Sequence, residues 1–85
     1  MPSKTVTVGS AVGLHARPAA TIAQIAGELG TPVTLATAGG EPVDAGSALM
    51  IMTLGAKHGD EVTVESESQE AVDKVAELVA KDLDA

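Results

Sequence analysis

Thr5-Val6-Thr7-Val8 alternates polar and apolar residues with period 2, which predicts a strand with Val6 and Val8 facing a core and the threonines facing outward. Gly9 and Gly13 bracket a loop. From Ala19 the apolar positions fall at Ala19, Ile22, Ala23, Ala26 and Leu29, which is helical spacing, and Gly30 with Pro32 ends that helix. Val33-Thr34-Leu35-Ala36-Thr37 predicts a second strand, Gly39-Gly40 a tight turn, and Pro42-Val43 a short third strand. Proline cannot donate to a ladder, so the third strand belongs at a sheet edge.

The stretch from Ser47 to Gly55 is apolar nearly all round and could be a buried strand. Ser47 as an N-cap, the Leu and Met side chains, which do not branch at Cβ, and Gly55 as a C-cap favour a short helix instead. Asp60 to Glu65 alternates again, with Val62 and Val64 inward. Ser68 then caps a last helix with the stripe Val72, Val75, Ala76, Val79 and Leu83, while Glu70 with Lys74 and Glu77 with Lys81 form i,i+4 pairs on its solvated face. The order is βαββαβα. One-sided strands need a cover, and three one-striped helices supply it, so the pattern predicts an α+β fold: a four-stranded antiparallel sheet of mixed order, covered on one face by three helices. No repeat or linker divides the 85 residues, which read as one domain, 1–85.

Composition sharpens this picture in three ways. The chain has no Phe, Tyr or Trp, so its core is built from Val, Leu, Ile, Ala and Met, and it lacks the stacking platforms that single-stranded nucleic acid uses. It has no Cys, which excludes disulfides and thiolate metal sites and fits a reducing compartment. Its net charge is −7, unevenly spread: Lys4 and Arg17 against Glu28 leave residues 1–40 at +1, while eleven acids against three lysines leave residues 41–85 at −8. Such a chain repels nucleic acid and anionic membrane. No apolar run approaches the roughly 20 residues of a membrane span, and no leader pattern opens the chain, so the expected location is the cytoplasm, while small size and high charge favour a monomer.

The half with the positive balance holds the candidate chemistry, in Gly13-Leu14-His15-Ala16-Arg17-Pro18-Ala19-Ala20. A helix start leaves backbone N–H groups without intrahelical partners and carries partial positive charge, so an anion placed there is stabilised twice. Pro18 suits the first turn of a helix and biases Arg17 away from helical torsions, which puts His15 just outside the helix mouth. Arg17 adds a planar five-donor group suited to phosphate or carboxylate oxygens. A histidine before a helix is otherwise a solvated boundary residue, and the two readings stand side by side on these residues alone.

This segment resembles the phosphohistidine segment of the HPr phosphocarrier family of the phosphoenolpyruvate-dependent sugar phosphotransferase system. Length, element order, the Gly39-Gly40 turn and the Ser47 to Gly55 segment ending in Thr53-Leu54-Gly55 extend the resemblance over the whole chain. It implies an open-faced β-sandwich in which His15 takes a phosphoryl group on Nδ1 from enzyme I and passes it to enzyme IIA domains, with Arg17 contacting that group. It implies a carrier in a relay rather than an independent enzyme, with no cofactor and no metal. The family's apolar docking patch maps onto Leu14, Ala16, Ala20, Ala48, Leu49 and Met52, although the spacing also allows Leu49 and Met52 to be core.

Ser47 matches the serine that a dedicated kinase phosphorylates in some members, but Gly46 stands where lysine is common and Ala48 where a larger apolar residue is common. Gln24, Gly27 and Met50 likewise replace basic residues of the docking face. An N-cap worth ~1 kcal/mol explains Ser47 without a kinase. His58 matches no motif and is expected in a solvated turn. The residues also fit a second class, a small ferredoxin-like ligand-binding regulatory module with no need of His15, since βαββαβ order occurs there too.

Overall fold

The alternating and helical stretches fold as their patterns predict. The computed structural model describes residues 2–81 and contains, in order, β1 (Ser3–Thr7), α1 (Ala16–Glu28), β2 (Val33–Thr37), β3 (Val43–Asp44), α2 (Ala48–Thr53), β4 (Glu61–Ser66) and α3 (Gln69–Ala80). The sheet order is β1-β4-β2-β3 with every pair antiparallel. Pairing sets Val6 opposite Val62 and Leu35 opposite Val64, so the centre of one face of the sheet is apolar, with Lys4, Thr37 and Ser66 at its margins. The other face carries Thr5, Thr63, Glu61 and Glu65, with the hydroxyls of Thr5 and Thr63 hydrogen-bonded at 2.9 Å, and is left without a helix. This is an open-faced β-sandwich.

Boundaries differ from the sequence pattern by one or two residues. β1 starts at Ser3 rather than Thr5, and Val8 lies just past its end while remaining core at 1% exposure. β3 is Val43–Asp44, with Pro42 immediately outside it at the sheet edge. Of the two ion pairs expected on α3, Glu77–Lys81 closes at 3.1 Å; among the described residues Glu70 and Lys74 do not pair, and Gln69 Nε2 instead donates to Asp73 Oδ1 at 2.9 Å. Leu83 falls outside the described residues.

Ala, Val, Leu and Ile make up the buried apolar core, with Met52 packed against its edge. Ile22 of α1, Leu35 of β2, Ile51 of α2, Val62 and Val64 of β4 and Val75 of α3 are fully buried. α3 lies against β1 and β4, and α1 packs against both α2 and α3. Among the described residues Ser10 and Ser66 are the buried polar ones, and the Ser66 hydroxyl donates to the Pro32 carbonyl at 2.8 Å and accepts from the Ser68 N–H at 3.2 Å, tying the end of β4 to the entries of β2 and α3.

The exit of β1 is clamped from two directions. The Val8 N–H donates to the Asp60 carbonyl (2.9 Å) and the Gly59 N–H returns to the Val8 carbonyl (3.0 Å), while the Gly9 N–H donates to the Val79 carbonyl near the end of α3 (3.0 Å). Gly9 approaches α3 so closely that a Cβ there would strike the Ala80 carbonyl oxygen and sit 2.6 Å from its carbon. Gly9→Ala therefore forces the loop off α3 and should lower stability by about 1–3 kcal/mol, the usual cost of overpacking against backbone. Urea unfolding followed by far-UV circular dichroism checks this: an unchanged midpoint would mean that the contact yields freely.

Candidate functional site

A single clamped turn sets where the candidate histidine stands. Gly13 adopts φ +77°, a left-handed conformation favoured by glycine, and its N–H closes a turn onto the Ser10 carbonyl at 3.0 Å. Its missing side chain also matters, because a Cβ would lie 2.5 Å from the Ala56 carbonyl oxygen and 2.9 Å from Lys57 Cα. The loop after β1 and the loop after α2 thus meet backbone to backbone. Leu14 follows: its N–H donates to the Ala56 carbonyl at 2.9 Å and its side chain enters the core at 3% exposure.

With Leu14 turned inward, His15 turns outward. His15 is the N-cap of α1 in extended conformation (φ −103°, ψ −158°); its carbonyl accepts the first helical bond, from the Ala19 N–H at 2.8 Å, and its imidazole makes no capping bond. The ring is exposed at the helix mouth. Pro18 and Ala19 are buried and fix the first turn to the core. Arg17 corrects the sequence expectation: it lies inside α1 as the second helical residue, its backbone helical despite the following proline. Pro18 is the third residue of the helix, where its missing N–H costs no intrahelical bond, and packing of Pro18 and Ala19 outweighs the local bias. The Arg17 side chain is exposed on the same first turn.

The mouth of α1 is well suited to an anion. The N–H groups of Ala16 and Arg17 have no intrahelical acceptor, no acidic residue occupies the first turn, and the guanidinium is carried two residues after the imidazole, on that same turn. The arrangement can present a nitrogen nucleophile beside N–H donors and a fixed positive charge.

The proposed contact patch is partly assembled. Ala16 and Ala20 are exposed on the first turns of α1, and α2 packs against α1 with Leu49 70% exposed and Ala48 and Met52 half-buried. Leu14 does not belong to this surface: it is core, because burying it is what anchors the helix start. On α2 the periodicity left core and surface undecided, and the structure assigns the core position to Ile51. Met50, which the resemblance sets at a docking-face position, is 41% exposed, and one exposed apolar residue was missed, Val12 at 63%. Val12 was legible as an apolar residue in a glycine-bracketed loop that no alternating or helical pattern claims. Ser47 is the N-cap of α2, its hydroxyl accepting from the Met50 N–H at 3.3 Å.

His58 is exposed in the turn that joins α2 to β4. Among the described residues no group of three or more His, Asp or Glu side chains is placed to hold a metal ion, and no helix is long and apolar enough to cross a membrane. An open groove of about 410 Å³ lies at the other end of α1, by Gly30, Pro32 and Asp44, and does not include His15.

Residues 2–81 match the family model described as the PTS HPr component phosphorylation site. The chain belongs to the HPr family. A phosphocarrier protein HPr of Streptomyces coelicolor is 42% identical over 87 residues, covering 99% of this chain and 94% of that protein. The crystal structure of a phosphocarrier protein HPr from Bacillus anthracis superposes with a TM-score of 0.84 at 32% identity, covering 92% of this chain and 95% of that one. HPr-C-His from Thermoanaerobacter tengcongensis gives 0.83 at 30% identity, covering 93% and 91%. Phosphocarrier proteins of the sugar phosphotransferase system are thus this chain's relatives over nearly their full length, and a ferredoxin-like effector module is not the fold family here.

The exposures of Leu14 and Leu49 give opposite expectations for the same substitution. Leu14→Ala removes a core anchor and should cost about 2–5 kcal/mol, whereas Leu49→Ala on the HPr surface should stay within about 0.5 kcal/mol of the parent. Paired urea midpoints check this, and equal losses would place Leu49 in the core.

Proposed function

We propose that this chain is a phosphoryl carrier that accepts a phosphoryl group on His15, at Nδ1, from phospho-enzyme I and donates it to enzyme IIA domains. The observation that carries the reading is the exposed, uncapped imidazole at a helix mouth with Arg17 on the same turn. In acceptance, the lone pair of the unprotonated ring nitrogen attacks phosphorus, an N–P bond forms, and the donor's bond to phosphorus breaks with its electron pair leaving on the donor. The other ring nitrogen keeps its proton. Donation runs the same displacement with the acceptor as nucleophile. Such a transition state spreads charge over three equatorial oxygens and needs in-line positioning and cationic stabilisation rather than further covalent chemistry. The open N–H groups at the start of α1 and the Arg17 guanidinium can meet that need, with no metal or cofactor assigned to the carrier.

Leu49 and Met52 on α2 with Ala16, Ala20 and Ala48 form the face that docks both donor and acceptor, and the exposed Met50 enlarges it. The unbranched, polarizable Met side chains, with Leu49 beside them, adapt to partners of different shape. Its small size and high charge support a monomer, and its location in the cytoplasm follows from the same relay. Ser47 borders this face, so a phosphate there would set charge beside an apolar contact; the N-cap bond already accounts for the residue structurally.

Incubation with phosphoenolpyruvate and a phosphotransferase-system enzyme I, followed by intact mass spectrometry, tests the assignment. The parent should gain one acid-labile phosphoryl group and His15→Ala none, with unchanged circular dichroism because the imidazole is exposed and unbonded. Phosphorylation of His15→Ala would move the site elsewhere. Arg17→Ala should slow transfer more than it weakens binding, since its charge acts on the transferring group.

Leu49→Asp should do the reverse. It should weaken enzyme I binding in titration by roughly tenfold or more, the cost of burying an unpaired charge in the contact, while leaving the fold intact. Parent-like binding by Leu49→Asp would remove α2 from the docking face.

A further inference from the structure

The loop between α2 and β4 adjoins the His15 turn and has no part in the phosphohistidine reading. Its first residues touch that turn directly: the Ala56 carbonyl accepts the Leu14 N–H at 2.9 Å, and Lys57 Cα lies 2.9 Å from where a Gly13 Cβ would stand. From Gly13 to His15 is two residues, a reach of about 7 Å at full extension. Lys57 carries an ammonium on a flexible four-carbon stem, and its side chain is exposed.

The backbone beneath Lys57 is fixed rather than loose. The Lys57 N–H donates to Asp60 Oδ2 at 2.9 Å, the Asp60 N–H donates back to the Lys57 carbonyl at 2.9 Å, and Asp60 and Gly59 are bonded to Val8 at the exit of β1. The nearby carboxylate is thus held on the lysine's amide. Among the described residues the Lys57 ammonium forms no ion pair, whereas Lys81 is bound to Glu77. The chain has five Lys and Arg residues against twelve acids, and two of the five stand on elements that adjoin His15: Arg17 on the first turn of α1, and Lys57 on the loop whose backbone meets Gly13. The other groups facing this corner are His58 and Asp60 on the same turn.

We infer that Lys57 is a second cation for the phosphoryl group at His15, reaching it from the loop side across Gly13 while Arg17 holds it from the helix side. The inference rests on the phosphohistidine reading and adds a residue to that site. An ammonium is a compact point charge without the fork geometry of a guanidinium, so Lys57 supplies field to the phosphoryl oxygens and Arg17 supplies orientation.

Lys57→Met keeps most of the stem and removes the charge, and Lys57→Arg keeps the charge. In rapid-quench transfer from phospho-enzyme I at saturating donor, Lys57→Met should be slower by about fivefold, the size of one exposed charge pair, and less sensitive to added salt. Lys57→Arg should restore both. The 31P resonance of the isolated phosphorylated chain, read with no partner present, should move in Lys57→Met and return towards the parent position in Lys57→Arg. An unaltered saturated rate in Lys57→Met, or a loss seen only below saturation together with weaker binding of the unphosphorylated chain, would overturn the inference and leave the phosphohistidine reading standing. A parent chain that gains no phosphoryl group would overturn both.

Discussion

The site depends on one backbone seam, the contact between Gly13-Leu14 and Ala56-Lys57. Leu14 can bury its side chain only because its N–H is satisfied on the Ala56 carbonyl, and that carbonyl can come close only because Gly13 has no Cβ. Burial of Leu14 on one side and of Pro18 and Ala19 on the other leaves His15 a single outward setting at the mouth of α1. A bulkier residue at position 13 would shift the histidine, the helix start and the loop after α2 together.

The absence of aromatic residues shapes the rest of the molecule. Aliphatic side chains fill a thin layer between the sheet and three helices, and at Gly9 and Gly13 backbone approaches backbone directly. Among the described residues large apolar side chains are exposed only at Val12, Leu49 and Met50, two of them on α2, which packs against α1. An apolar face and a polar, helix-free sheet face therefore coexist on a chain of 85 residues.

Most of the fold was legible because local and tertiary preferences agree. Val62 and Val64 alternate and are both buried, Ser47 and Ser68 cap the helices they precede, and Pro42 stands at an edge strand. Where they compete, tertiary packing wins: Arg17 is helical although it precedes proline, because the buried Pro18 and Ala19 pull the helix start back to Ala16. The histidine and its setting could be read from Gly13 to Ala20. Leu14 could not, since a leucine next to a site is apolar whether it faces a partner or the core, and only the contact with Ala56, 42 positions away, decides the matter. α2 posed the same difficulty, its run of apolar residues hiding the fact that Ile51 alone points fully inward.

The arch from Gly9 to Gly13 is tied at Gly9 to α3, at Gly13 to Ser10, and one residue later at Leu14 to Ala56. Only Ala11 and Val12 lie between these ties as exposed residues. Ordering a backbone residue costs on the order of 1–2 kcal/mol, and in this arch that cost falls on folding rather than on each encounter. Any group arriving at His15 therefore meets a rim already in its final shape, and the conformational entropy that a floppy loop would forfeit at every binding event has been surrendered once, when the chain folded.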